Sequence, residues 1–140
     1  MQIETTKFGT IEYDQEQVMT IDILGFSDYT SWIFIDEERA TPFRMLQSLN
    51  NPELAFVTVD PLNVRPDYCF MTTPDELKEI GATKTDNLLV MSIVQMDKNI
   101  QDVTLNLQGP IVINGENGKG MQVILKDSEY TTRERLLTGD

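Results

Sequence analysis

Histidine is absent from the 140 residues, and cysteine occurs once, at Cys69. Histidine is the commonest general base and metal ligand at neutral pH, so Ser–His, Cys–His and histidine-based zinc sites are all excluded. One cysteine cannot form an internal disulfide, and a single thiol suits a reducing compartment. The sequence also has no N-terminal apolar signal segment and no apolar run near the ~20 residues of a membrane span. These absences predict a cytoplasmic protein without membrane contact.

Basic residues are scarce as well: the chain has 11 of them against 23 acidic residues, which gives a net charge of −12. Phosphate binding requires clustered lysine and arginine, so the composition disfavours direct contact with nucleic acid or with an anionic membrane. The partners that such a protein attracts are basic surfaces or surfaces indifferent to charge. Acidity that only keeps the protein soluble is an equally simple explanation, and charge alone does not separate the two.

The apolar residues that are present follow mostly a period of two, which is typical of β-strands. In QDVTLNLQG, for example, Val103, Leu105 and Leu107 alternate with polar residues. DYCFMT is a similar run, in which Cys69 is expected to be a small buried residue. About nine or ten such segments, separated by turn residues, predict one all-β, barrel-like domain over residues 1–140.

One α-helix is marked in TTPDELKEIGA, near residues 74–81. Thr73 is a candidate N-cap, Pro74 suits the first helical position, and Glu76 completes a capping box with Thr73. Gly81 is a candidate stop, because glycine readily adopts the left-handed backbone conformation that ends helices. The sequence therefore predicts one short helix that covers one end of a sheet.

The glycine-rich stretch INGENGKGMQ, at 113–122, resembles a phosphate-binding loop only superficially. A Walker loop would require glycine where Ile113 stands and serine or threonine where Gly120 stands. A phosphate loop also precedes a helix, whereas MQVILK is typical of a strand. The stretch is therefore predicted to be the turn of a hairpin between PIVIN and MQVILK.

The densest group of carboxylates is Asp36-Glu37-Glu38, which directly follows the apolar run around Trp32. The calcium-loop pattern D-x-[DN]-x-[DN]-G does not occur, and no metal or cofactor is expected. A solvated acidic turn is the favoured interpretation, but a glycosidase-like pair of carboxylates can come from distant positions in a chain. A carboxylate-dependent hydrolase acting on a sugar or an ester is therefore kept as the alternative function.

Apolar residues follow closely behind this acidic group, where PFRMLQSLNNP supplies Pro42, Phe43, Met45 and Leu46. An apolar strip beside acidic residues is what a protein presents to a basic or amphipathic helix. Burial of Phe43 and Leu46 in the core would explain the same pattern equally well, so both interpretations stay open.

Two longer segments carry extended motifs: TPFRMLQSLNNPELAFVTVDPLNVRPDY and TLNLQGPIVINGENGKGMQVIL. The first has the pattern P-F-x-x-L-Q-S, then P-x-L-A-F, a proline loop and P-D-Y, and the second has N-L-x-x-P-I-V-I-N, a glycine loop and G-x-Q. Both resemble the flagellar assembly factor FliW family. The resemblance covers nearly the whole chain, but the family's P-G-(I/L)-P-G-F turn is replaced by IDILGF, which keeps only Gly25 and Phe26.

The resemblance implies a small β-barrel-like protein without catalytic activity. It implies two protein partners, flagellin and the basic RNA-binding carbon storage regulator CsrA, whose repression of flagellin translation the protein would prevent. Flagellin made in excess would capture the protein and release CsrA. The free protein is expected to be monomeric, and strong acidity would repel messenger RNA from its complex with CsrA.

The expected partner surface combines the acidic group, the apolar residues behind it and the loop that follows the next strand. Acidic residues beside apolar ones, and the density of family-like residues there, motivate this choice. The predicted partner-binding residues are Asp36, Glu37, Glu38, Phe43, Arg44, Gln47, Asp60, Asn63, Arg65 and Asp67. No catalytic, cofactor-binding or metal-binding residue is predicted.

Overall fold

The computed structural model describes residues 1–83, 87–126 and 128–137, and β-strands predominate in them. These residues form 11 strands. The strands are β1 (Gln2–Thr5), β2 (Gly9–Glu12), β3 (Met19–Asp22), β4 (Ser31–Ile35), β5 (Arg44–Ser48), β6 (Ala55–Val59), β7 (Leu88–Gln95), β8 (Thr104–Leu105), β9 (Ile111–Asn114), β10 (Lys119–Gln122) and β11 (Glu134–Arg135). In the same residues there is one α-helix, α1 (Pro74–Glu79), and short 3-10 turns lie at Gln15–Gln17, Glu38–Ala40, Pro61–Asn63 and Ile100–Asp102.

Seven of these strands close into a barrel in the order β3-β4-β5-β6-β7-β9-β10, with β10 returning to β3. The β3–β10 pairing is parallel and the other pairings in the barrel are antiparallel. Strand β7 is 8 residues long, so its first half pairs with β9 while its end pairs with β8, which leads out of the barrel to β11. The prediction of an all-β, barrel-like fold is confirmed.

Two apolar clusters lie on the two sides of the barrel wall, and strand β9 takes part in both. Ile111 and Ile113 pack with Trp32 and Leu46, whereas Val112 belongs to the other cluster. Successive side chains of a strand point to opposite faces, so the first cluster fills the barrel and the second lies outside it, beneath the end of helix α1. All four residues of β9 are buried, and Trp32 is fully buried in the first cluster.

Helix α1 begins and ends as the sequence predicts. The hydroxyl of Thr73 accepts a hydrogen bond from the backbone N–H of Glu76 (3.1 Å), and the Glu76 carboxylate accepts one from the N–H of Thr73 (2.7 Å). Gly81 follows with a φ of +66°, in the left-handed region that glycine tolerates. None of the described residues belongs to a helix long and apolar enough to cross a membrane.

The glycine-rich stretch is a hairpin turn, as predicted, but the second strand is Lys119–Gln122 and includes only the first two residues of MQVILK. The turn also anchors the helix. The side-chain amides of Asn114 and Asn117 both donate to the carbonyl oxygen of Ile80, each at 3.1 Å. Gly118 has a φ of +71°, which suits the turn. Gly120 lies where β10 approaches β9, and a Cβ there would be 2.9 Å from a backbone oxygen of β9. These glycines therefore serve the turn and the close approach of two strands.

The prediction of a strand over 67–72 is wrong, although its side chains do alternate between buried and exposed. The N–H of Tyr68 donates to the carbonyl of Arg65 (2.9 Å), and the N–H of Cys69 donates to the hydroxyl of Tyr130 (3.0 Å). A turn and a side chain thus occupy the groups that a neighbouring strand would have bonded. Cys69 is exposed, so its expected burial is also wrong.

The run QDVTLNLQG forms less strand than its alternation suggests. Only β8 is paired there, although Val103, Leu105 and Leu107 are all at most 1% exposed, as the pattern predicted. Its side chains cover the outside of the barrel, and its backbone bonds partly to residues other than a strand. The N–H of Leu107, for example, donates to the carbonyl of Thr131 at 3.0 Å.

Candidate partner-binding site

The acidic residues 36–38 occupy the connection between two paired strands. Strands β4 and β5 are antiparallel neighbours that pair Ile35 with Met45, so the two ends of this connection lie side by side. Within it, the N–H of Ala40 donates to the carbonyl of Glu37 (3.0 Å), and the N–H of Phe43 donates to the carbonyl of Ala40 (2.7 Å). Two successive tight turns therefore fold the acidic residues back against Phe43.

Arg44 is held by two neighbours at the base of this connection. Its guanidinium forms a bidentate ion pair with Asp36, at 2.7 Å from Nε to Oδ1 and 3.0 Å from Nη2 to Oδ2. The same group lies 4.0 Å from the ring centroid of Phe34, which is a cation–π contact. Asp36 therefore has a cationic partner in Arg44, while Glu37 and Glu38 remain exposed.

Six of the ten predicted residues line one shallow pocket of about 400 Å³. We call it the acidic cleft, and its defining residues are Asp36, Glu37, Glu38, Phe43, Arg44 and Asn63. Phe43 is half-buried, so it packs against the core on one side and lines the cleft on the other. Phe43 thus contributes to the core and is also accessible in the cleft, whereas Leu46 is a core residue with no exposed surface.

The other loop residues have different positions from those expected. Asp60 caps the turn Pro61–Asn63, where its carboxylate accepts a hydrogen bond from the N–H of Leu62 (2.9 Å). Arg65 is turned toward the C-terminal strand, with Nη2 2.7 Å from a carboxylate oxygen of Glu134. Asp67 is exposed on the same loop but does not line the acidic cleft.

Gln47 does not lie on the surface, which excludes it from direct contact with a partner in this fold. It is fully buried on β5, and its side-chain amide donates inward to the turn between β5 and β6. Four carbonyl oxygens lie within reach of the two hydrogens on this amide nitrogen: those of Ser48 (3.0 Å), Leu54 (3.1 Å), Pro52 (3.3 Å) and Asn51 (3.4 Å). The family-like glutamine therefore supports the fold.

A second depression, of about 490 Å³, was not foreseen from the sequence. We call it the apolar pocket; its main lining residues are Leu62, Tyr68, Met71, Leu77, Leu88 and Val90. These residues come from a turn, a loop, helix α1 and strand β7, so no local pattern links them. The only sequence feature that points to this pocket is the apolar run around Met71, and that run is also typical of a strand.

Tyr68 forms the buried wall of this pocket. Its hydroxyl donates to the carbonyl of Leu107 at 2.6 Å, and its ring packs edge-on against Tyr130 at 4.6 Å between centroids. Burial raises the pKa of Tyr68 well above its ordinary value, and the nearby Tyr130 raises it further. The described residues contain no group of three or more histidine, cysteine or acidic side chains placed to hold a metal ion.

The FliW protein family model matches residues 2–136. The chain belongs to the FliW family. A flagellar assembly factor FliW from Caldanaerobacter subterraneus subsp. tengcongensis is 40% identical, over 98% of this chain and 93% of that protein. One from Geobacter sulfurreducens is 35% identical, over 95% of this chain and 84% of that protein.

A solved structure agrees with these sequence relatives. A crystal structure of the flagellar assembly factor FliW superposes with a TM-score of 0.93 at 32% identity, covering 99% of both chains. The names of these FliW relatives describe an assembly role and mention no reaction. In this chain the FliW-like segment 41–68 supplies β5, β6 and the turn that brings Asn63 to the acidic cleft.

Proposed function

We propose that this chain is a non-catalytic regulator of flagellum assembly that acts in the cytoplasm by binding two proteins in turn. One partner is flagellin, and the other is the basic RNA-binding translational repressor CsrA. Bound to this chain, CsrA no longer represses flagellin translation. Flagellin made in excess displaces CsrA from the chain, so repression returns.

The acidic cleft is the observation that carries this proposal. Glu37 and Glu38 are exposed beside the apolar edge of Phe43, so the cleft offers negative charge next to apolar area. Such a surface attracts a basic protein through charge and retains it through short-range packing. Membership of the FliW family supports the same role, because the relatives are named as flagellar assembly factors.

Purified proteins test the exchange directly. CsrA bound to a labelled flagellin messenger RNA leader is titrated with this chain, and the bound fraction of RNA is measured by gel shift. We expect the chain to release the RNA and subsequent addition of flagellin to restore RNA binding. The chain alone should not shift the RNA, because its net charge of −12 opposes phosphate contact.

The paired variant Glu37→Lys with Glu38→Lys serves as the site control in the same assay. We expect it to release less RNA at equal concentration while keeping the circular dichroism spectrum of the wild type. If the wild-type chain leaves the CsrA–RNA complex intact and binds no flagellin, the proposed function is wrong. If the chain binds both proteins and the variant behaves as wild type, the acidic cleft is not the CsrA surface.

A further inference from the structure

The apolar pocket shares no lining residue with the acidic cleft, and none of its lining residues carries a formal charge. Two large side chains at this pocket are unusually accessible: Met71 is 88% exposed and Leu62 is 51% exposed. Exposed apolar residues gathered around a concavity mark interaction sites, whereas single ones scattered over a surface do not. Methionine is also flexible, and its side chain adapts to partners of different shape.

The charged residues next to the pocket in the chain are mostly acidic: Asp60, Asp67 and Glu76 adjoin the lining residues Pro61, Tyr68 and Leu77, and Lys78 is the one basic neighbour among the described residues. Most of its wall comes from the segment between Asp60 and Glu79, which contains five acidic and two basic residues. One of the two basic residues, Arg65, is paired with Glu134 at 2.7 Å, so its charge is locally compensated. A segment that enters this pocket is therefore attracted if it carries positive charge beside its apolar residues.

We propose that the apolar pocket is a docking site for a basic amphipathic helix of a partner protein. A volume of about 490 Å³ holds a few apolar side chains but not a whole helix. Residues at positions i, i+3, i+4 and i+7 of a helix lie on one face, so they converge on one such cavity. Lysine or arginine on the flanks of that face then meets these acidic neighbours. This docking site rests on the proposed function as a protein-binding regulator, and it gives that regulator a second surface.

The turn Pro61–Asn63 marks the border between the two surfaces. Leu62 lines the apolar pocket, and the next residue, Asn63, lines the acidic cleft. A helix in the pocket therefore lies beside the acidic cleft without occupying it. The pocket and the cleft can consequently be tested with separate variants.

The experiment measures the affinity of synthetic helical peptides by fluorescence anisotropy. The first peptide has leucine at i, i+3, i+4 and i+7 and lysine on the flanks, the second has glutamate in place of lysine, and the third is a scrambled version of the first. The pocket variants are Leu62→Ser and Met71→Ser, which change exposed side chains only. Met96→Ser is the matched control, because Met96 is 54% exposed and lines neither surface.

We expect the lysine peptide to bind wild type and Met96→Ser equally, and each pocket variant about tenfold or more weakly, as for an interface anchor. The glutamate and scrambled peptides should bind at least about tenfold more weakly than the lysine peptide. The pocket proposal is overturned if wild type does not bind the lysine peptide, or if the pocket variants bind it as wild type does. It is also overturned if the glutamate and scrambled peptides bind as tightly as the lysine peptide.

Purified flagellin and CsrA, titrated against the same variants, distinguish this proposal from the proposed function. If wild type binds neither protein while the lysine peptide still binds at the pocket, the proposed function fails and the docking site stands. If wild type binds both proteins and Leu62→Ser and Met71→Ser weaken neither of them nor the lysine peptide, the docking site fails and the proposed function stands.

Discussion

Two buried polar side chains stabilise this fold by hydrogen bonding to the backbone, a role that their residue types alone do not indicate. Gln47 and Tyr68 both lie in segments that resemble the FliW family, and both use their polar ends to satisfy backbone carbonyls. A buried carbonyl left without a donor costs more than the hydrogen bond itself contributes. Their replacement by apolar residues of similar size should therefore reduce stability even where packing is kept.

We expect Gln47→Met to lower the free energy of unfolding by about 1 kcal/mol, because the β5–β6 turn loses the hydrogen bonds of the Gln47 amide, while the carbonyls of Asn51, Pro52 and Leu54 keep their backbone N–H donors. Methionine has a similar length, so the change isolates hydrogen bonding from cavity formation. Urea denaturation followed by tryptophan fluorescence measures the effect. Gln101→Met is the control: Gln101 is exposed, and its replacement should change stability by no more than about 0.5 kcal/mol. Equal stabilities of the two variants would show that the network contributes nothing.

Because of the raised pKa of Tyr68, we expect the stability of the protein to fall at alkaline pH. Its pKa in the folded protein is raised by burial, so above about pH 10 the unfolded chain loses a proton that the folded chain keeps. The free energy of unfolding therefore falls in that range, with this residue contributing up to about 1.4 kcal/mol per pH unit. Tyr68→Phe should be less stable than wild type near neutral pH by about 1 kcal/mol, because the bond to Leu107 is lost.

The same variant should show the shallower decline of stability between about pH 10 and pH 11, because its phenylalanine has no proton to lose. Urea unfolding at a series of pH values, with wild type and Tyr68→Phe measured side by side, gives both slopes. Titrating groups that do not contact Tyr68 are common to the two proteins and cancel in the comparison. Parallel alkaline slopes would refute a role for Tyr68 in the pH dependence.

Among the secondary-structure elements, helix α1 is so short that its stability depends on its N-terminal cap. It has 6 residues, fewer than an isolated helix needs, so it depends on its capping box and on contacts with the β9–β10 hairpin. Leu77, on this helix, lines the apolar pocket. The position of one wall of the pocket thus depends on how well the helix is held.

We expect Thr73→Ala to lower the free energy of unfolding by about 1 kcal/mol, since the N–H of Glu76 loses its acceptor. Thr73→Ser keeps a hydroxyl in the same place and should restore most of the loss. Thermal or urea unfolding of the three proteins measures this, and hydrogen exchange of the helix amides locates it. A serine variant as unstable as the alanine variant would assign the effect to the lost methyl group and not to the cap.

The molecule as a whole carries a net charge of −12, which should act on the rate of association with a basic partner. Electrostatic steering weakens as the Debye length falls from ~30 Å at 0.01 M salt to ~8 Å at 0.15 M. Dissociation depends more on short-range packing and should respond less. The position of the charge, as well as its sum, decides how strongly a partner is steered to one face.

We expect the paired variant Glu37→Lys with Glu38→Lys to associate with CsrA more slowly than wild type and with a flatter salt dependence. Binding to flagellin, which should rely more on apolar contact, is expected to change less. Two reversals alter the net charge by four, from −12 to −8. The measurement is the association rate against salt for both partners, by stopped flow or surface plasmon resonance. A wild-type rate that does not depend on salt would remove steering from the mechanism.

A matched pair of substitutions, Glu4→Lys with Glu53→Lys, separates the effect of charge at the acidic cleft from the effect of net charge on the association rate. Both residues are exposed, and Glu53 lies in the connection at the other end of β5, away from the acidic cleft. This pair gives the same net charge of −8, by the same two reversals from −12. It should slow association less than the cleft pair does, and equal effects would mean that only net charge matters.

Short-range patterns in the sequence determined much of the fold. Period-two alternation marks strands because side chains of a strand alternate between faces, and the Thr73–Gly81 signals define the helix because caps act within one turn. The glycine stretch was predicted as a hairpin for the same local reason. The acidic residues 36–38 and Phe43 could be grouped because one short connection joins them.

Only the tertiary structure decided which distant residues meet and which side chains are accessible. Pairing of β5 with β6 brings the turn with Asn63 to the acidic cleft, the C-terminal strand brings Glu134 to Arg65, and packing around β5 buries Gln47 completely. The residue pattern does not encode these positions, because each depends on how strands and turns pack against one another in the folded chain. The same holds for the apolar pocket, whose wall is built from a turn, a loop, a helix and a strand that only folding brings together.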